Sequence, residues 1–263
     1  MYKRKPYLKL HRPGLLGLCF SLFLFCSILG AISSTLVACG TDKDITAKTD
    51  TSDTSKVVVL KSTDVKDYDK YYKPEEFKSM DMLRSDSKWS FVRCKQSAHF
   101  FIFWEAGFGS DPNSVKVPES MRIDVDDMLA KAEQFYDMNV NKLKFATVGS
   151  AKSNLDKYKM EIYLLYQTEW LATGSGYDDK IGALWVNPST CKPVGSVIAH
   201  EIGHSFQYQV YADKLLNGVA NDFTSGFRYG YGGNGGNGFW EQTAQWQSYQ
   251  SYPLEAFESY NFG

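Results

Sequence analysis

The stretch Val194–Tyr211, VGSVIAHEIGHSFQYQVY, restricts the fold more than any other part of this chain. Within it stands His200-Glu201-Ile202-Gly203-His204, two histidines four positions apart with a glutamate directly after the first. On a helix, residues four apart share a face one turn apart, so both imidazoles can converge on one metal ion, and the spacing fits zinc. Glu201 then projects to a neighbouring part of the surface, in reach of a water on that ion but badly placed to ligate it. Val197, Ile198, Ile202, Phe206 and Val210 would bury one side of the helix. His and Glu also occur on many exposed helix faces, so the surrounding chain has to support the motif.

Upstream, Val57–Leu60 reads as a short strand, and Pro74-Glu75-Glu76 as the first turn of a short helix running to Arg84. Trp89–Arg93 (WSFVR) and Ala98–Trp104 (AHFFIFW) read as two aromatic strands, ended by Gly107, Gly109, Asp111 and Pro112. Between Met121 and Met138, Ile123, Val125, Met128, Leu129, Ala132, Phe135 and Tyr136 keep helical spacing, with Asp and Lys on the other side. Lys144–Val148 and Met160–Tyr166 read as further strands, the second apolar enough to be central. Ile181–Asn187 (IGALWVN) is another, bounded by Gly174, Gly176 and Pro188. It is either a core strand or the edge strand beside the cleft, where an extended substrate could pair. This order predicts an α+β fold, a mixed sheet packed on the motif helix, with a short helical C-terminal part.

The N-terminus differs from the rest. Lys3, Arg4, Lys5, Lys9 and Arg12 precede an apolar run from Leu15 to Leu29, and no acidic residue appears before Asp42, the pattern of an export signal over residues 1–38. Gly17, Gly30, Ser33 and Ser34 break the run, which argues against a membrane-spanning anchor. It ends in Leu36-Val37-Ala38-Cys39-Gly40, which resembles the lipobox of bacterial lipoproteins. That resemblance implies a lipid on Cys39 and a place on the bacterial envelope, in the outer membrane or exposed at the surface. Residues 40–56, rich in Thr, Ser, Asp and Lys, then form a flexible tether to a single domain over 57–263. Losing the five basic residues takes the formal net charge from −1 to −6, which disfavours a nucleic-acid partner. In the folded part only Cys94 and Cys191 remain, as a disulfide or as two separate thiols.

A hydrolytic zinc site keeps three protein ligands and one open position, so the motif requires a third donor. The chain has four histidines: His11 lies in the signal, His99 on an early strand where it reads as packing, and two are in the motif. The metzincin pattern is absent, because Gln207 and Val210 stand where its glycine and third histidine belong. Among carboxylates Glu241 stands out, in the first turn of an expected helix after a glycine-rich stretch; Asp213 and Asp222 are rivals. Phe223–Gly238 lies between the ligand helices and reads either as a mobile wall of the cleft, with aromatics suited to sugar rings, or as a spacer.

HExxH followed by a glutamate on a second helix resembles the gluzincin metallopeptidases. The HExGHxxQ motif and the E-x-x-A helix within Trp240–Trp246 (WEQTAQW) are similar to the enhancin-like and basic-secretory-protein-like branches, and to envelope lipoproteins of gut-type bacteria. The overlap runs from Phe100 to Tyr252 in element order. It implies a zincin-like fold, zinc on His200, His204 and Glu241, and Glu201 as general base in peptide-bond hydrolysis of extracellular proteins or glycoproteins. It also implies a longer helical part than the chain has after Glu241, so the domain reads as minimal or truncated. Thermolysin-like members have a carboxylate four residues beyond the third ligand, supporting a ligand histidine; here it is Gln245, which holds no charge. Tyr229, Tyr231 and Tyr249 are the candidates for stabilising the oxyanion. The competing class is a surface-anchored binding or adhesion lipoprotein whose zinc is structural or vestigial.

Overall fold

The computed structural model describes residues 57–219 and 237–253. These belong to one compact unit, Thr54–Gly263, while the export segment, Cys39 and the tether lie outside the described residues. Among the described residues no helix is long and apolar enough to cross a membrane.

The architecture is α+β. Five strands form one mixed sheet: β1 (Cys94–Gln96), β2 (Phe100–Trp104), β3 (Met160–Leu164), β4 (Ala172–Tyr177) and β5 (Ile181–Val186), in the spatial order β1-β2-β3-β5-β4. β2, β3 and β5 are parallel, with Ile102 opposite Ile162 and Ile162 opposite Leu184; β1 and β4 pair antiparallel at the two edges. The sequences FFIFW and MEIYL are buried at every position, as central strands covered on both faces require. Helix α1 (Val125–Tyr136) crosses between β2 and β3; Asp124 caps it by accepting the Asp126 and Asp127 amides. It buries Met128, Leu129, Ala132 and Phe135 and continues as a π-helical turn, Asp137–Lys142.

Strand alternation sorts the core into two layers. Phe100 turns to Tyr136 of α1, whereas Phe101, Phe103 and Tyr163 turn to the opposite face and meet Tyr71, Phe77, Trp89 and Phe91 edge-on or tilted, with Phe103 and Tyr163 stacked on each other. Each such buried ring contributes about 1.5–3 kcal/mol. The segment carrying these rings is largely irregular, and here the structure corrects the sequence reading. Val57–Leu60 makes a single bridge, Val59 to Arg84, in place of a strand. The helix expected from Pro74 to Arg84 is one 3₁₀ turn, Glu75–Phe77. Trp89–Arg93 holds a 3₁₀ turn, Phe91–Arg93, because the buried Arg93 guanidinium gathers the carbonyls of Ser85, Ser87, Lys88 and Trp104 and winds the chain around itself. Lys144–Val148 is no strand either; Lys144 has φ +58°, which breaks an extended run.

The motif helix is α2 (Ser196–Leu216), which packs across β4 and β5. It ends at Asn217, followed by Gly218 at φ +67°, the left-handed residue that closes many helices. β4 had no sequence signal and is the edge strand; Ile181–Asn187 is interior, flanked by β3 and β4, which corrects the reading of that segment as the edge. The close approach explains the glycines of ATGSGY: a Cβ on Gly174 would lie 1.6 Å from the Glu201 carbonyl oxygen. A second helix, α3 (Asn237–Ser251), lies on the other side of α2.

Candidate metal centre

α2 presents His200 and His204 one turn apart, with ring centroids 4.7 Å apart and rings nearly perpendicular. α3 brings Glu241 to them: its Oε2 lies 3.1 Å from His200 Nε2 and 3.3 Å from His204 Nε2. Among the described residues these three form the one group of His, Cys, Asp or Glu able to hold a metal ion, their ligand atoms all within 4.8 Å of one another. The helices approach this closely because residue 203 is glycine; a Cβ there would meet Gln247 Oε1 at 3.1 Å and Ala244 Cα at 3.3 Å. Three further bonds tie α3 in place: Gln207 Nε2 donates to the Trp240 carbonyl, Ser248 Oγ to the Ser196 carbonyl, and Gln247 Nε2 to Asn139 Oδ1. Burial is graded across the trio, with side chains 1% exposed at His204, 17% at His200 and 49% at Glu241, so the site is walled on one side and open on the other.

The far ring nitrogens are held by amides. His200 Nδ1 lies 3.0 Å from Gln245 Oε1, and His204 Nδ1 lies 2.8 Å from Gln207 Oε1. With Nδ1–H donated to an amide oxygen, His204 Nε2 carries a lone pair and faces the Glu241 carboxylate, which also only accepts. Two acceptors at 3.3 Å need a cation or a proton between them. Burial pushes the His204 imidazole below its ordinary value of 6.5, against the proton, while Gln207 and Glu241 pull the other way. The spacing fits a metal ion, since about 3.3 Å is the separation of two ligands held tetrahedrally at about 2.0–2.1 Å. The donor set of two imidazoles and one carboxylate suits zinc.

Glu201 stands beside the trio and is half buried. One carboxylate oxygen accepts the Gly174 amide at 2.8 Å, which ties it to β4. Burial pushes its pKa up to about 7; the Gly174 N–H opposes this, and the charge of Glu241 adds to it. A carboxyl group near 7 can both take and return a proton at neutral pH.

The other candidates are turned elsewhere. Asp213 accepts from the Asn154 amide and from Gln209 Nε2, away from the histidines. His99 is a packing residue, its Nδ1 2.7 Å from Glu133 and its ring stacked 3.8 Å from Tyr136. The Tyr249 hydroxyl is buried without a hydrogen-bond partner. Cys94 and Cys191 are free thiols. Asp222, Tyr229, Tyr231 and the glycine-rich stretch lie outside the described residues. Sequence reasoning did not assign Gly174 and Gln207 to the site. Gln207 had a signal, three residues after the second histidine and on its face; Gly174 had only a glycine among small residues.

Comparison with curated proteins and with solved structures finds no match. A family profile does match, over residues 63–263, which take in the sheet, α2 and α3. The chain therefore belongs to DUF6055, a family of unknown function.

Proposed function

We propose that this protein is a zinc metallopeptidase, with His200, His204 and Glu241 as metal ligands and Glu201 as general base. The observation that carries the reading is the convergence of these ligand atoms beside the half-buried Glu201 carboxyl group, which the Gly174 amide holds in place. Zinc, when bound, supplies Lewis acidity, acidifying water and polarising a scissile carbonyl. Glu201 takes the proton of the attacking water and returns it to the leaving amine, the role its half-buried position beside the ligands suits.

A zincin-like assignment of the fold, of the gluzincin kind, is supported by the order of the two motifs and by an antiparallel edge strand lying against the motif helix. Because the Gly174 N–H points to Glu201 and away from β5, the backbone groups of Ala172 and Gly176 also face the open edge of β4. An extended peptide adding to that edge would pass beside Glu201, and this supports a polypeptide substrate. Of the three tyrosines named for the oxyanion, Tyr249 has its hydroxyl buried, and Tyr229 and Tyr231 lie outside the described residues. The Cys39 sequence supports lipid attachment on the bacterial envelope, with extracellular proteins or glycoproteins in reach.

The test is Glu201→Gln, with bound zinc measured beside cleavage of a peptide library and of glycoproteins. We expect zinc to be retained and turnover to fall by about 10²–10⁴-fold. A wild-type chain that holds zinc and cuts nothing would favour a binding or adhesion role, and one that holds none would remove the metal site as well.

A further inference from the structure

We propose that Gln207 is a positioning residue that couples the tautomer of His204 to the docking of the helix carrying Glu241. The inference rests on the metal-site reading above and concerns how that site is assembled. Gln207 is fully buried on α2, three residues after His204 and on the same helix face. Its amide spans two elements: Oε1 lies 2.8 Å from His204 Nδ1, and Nε2 donates at 2.9 Å to the backbone carbonyl of Trp240. A carbonyl only accepts, so the end facing Trp240 must be the NH₂ group. The oxygen therefore faces the imidazole, Nδ1 carries the hydrogen, and Nε2 is left with the lone pair a metal needs.

Trp240 closes the first turn of α3 and directly precedes Glu241, which opens the next. One side chain thus selects the metal-ready form of one ligand and holds the turn that leads into another. Gln245, the corresponding partner of His200, lacks this property. Its Nε2 is buried with no acceptor, so no contact at that end fixes which way its amide points. The two amides are not equivalent, and Gln207 should contribute more to the site.

The experiment is a chelator-competition titration of zinc on the purified chain, comparing wild type with Gln207→Leu, Gln207→Glu and Gln245→Leu. Removing Gln207 should weaken zinc binding by about 10–100-fold, and by more than removing Gln245. Glu at 207 keeps an acceptor for Nδ1–H but sets a carboxylate against the Trp240 carbonyl. It should restore part of the affinity while hydrogen exchange quickens in the first turn of α3. Should the leucine variant fail to fold, this near-isosteric glutamate variant still reports. In a Glu241→Ala background the loss caused by Gln207→Leu should shrink, because the two residues act through one turn.

Zinc affinity within twofold of wild type in folded Gln207 variants, or additive losses in the double variant, would overturn the inference and leave the metal site standing. A purely structural Gln207 would lower the melting temperature of the metal-free chain and leave zinc affinity unchanged. No zinc binding by wild type would end both readings.

Discussion

Glu161 is a carboxyl group in β3 with no exposure to solvent. Tyr163 donates to its Oε2, and its Oε1 has no partner. Burial pushes its pKa well above the ordinary 4.5. The folded chain therefore holds this proton where the unfolded chain releases it. The stability it contributes is fully present below about pH 4.5 and is lost as pH rises towards the folded value, by about 1.4 kcal/mol per pH unit. Glu161→Gln should match wild type near pH 4 in thermal melts and become progressively more stable than it by pH 7; parallel curves would refute the protonated state. At the proposed metal site, Glu241→Ala should reduce zinc affinity by at least about 100-fold in equilibrium dialysis with the fold retained, since Glu241 is half exposed. The candidate pair was legible in the sequence because helical spacing alone puts His200 and His204 on one face. Asp213, already the weakest of the three carboxylate candidates, bonds instead to Asn154 and Gln209.

At the scale of elements, α1, α2, β2, β3 and β5 follow from hydrophobic spacing, because each buries a whole stripe or both faces. β4 escaped because ATGSGY has little β-forming bulk, and its glycines read as turn signals when they in fact let a helix approach the strand. Trp89–Arg93 has strand composition, yet one buried guanidinium dictates its path, a tertiary cause no local pattern records. The contact between β4 and α2 should be intolerant of bulk. Gly174→Val is expected to destabilise the fold by about 3 kcal/mol in urea unfolding and to displace the partner of Glu201. A loss below about 1 kcal/mol would mean that the strand can move away from the helix.

At the scale of the molecule, the sheet separates two functions. Its outer face is closed by an aromatic layer whose task is packing, and its inner face carries α2, against which α3 docks with Glu241, the proposed third ligand. A metal that bridges α2 and α3 binds only the folded chain, so saturating zinc at 100 times Kd should add about 2.7 kcal/mol and raise the melting temperature by roughly 5–10 °C. The central claim is tested most directly by zinc K-edge X-ray absorption on the purified, zinc-loaded chain. The account predicts one zinc per chain, with two imidazole nitrogens at about 2.0–2.1 Å and carboxylate or water oxygens at about 2.0–2.2 Å. A sulfur shell at about 2.3 Å, or no stoichiometric zinc, would contradict it.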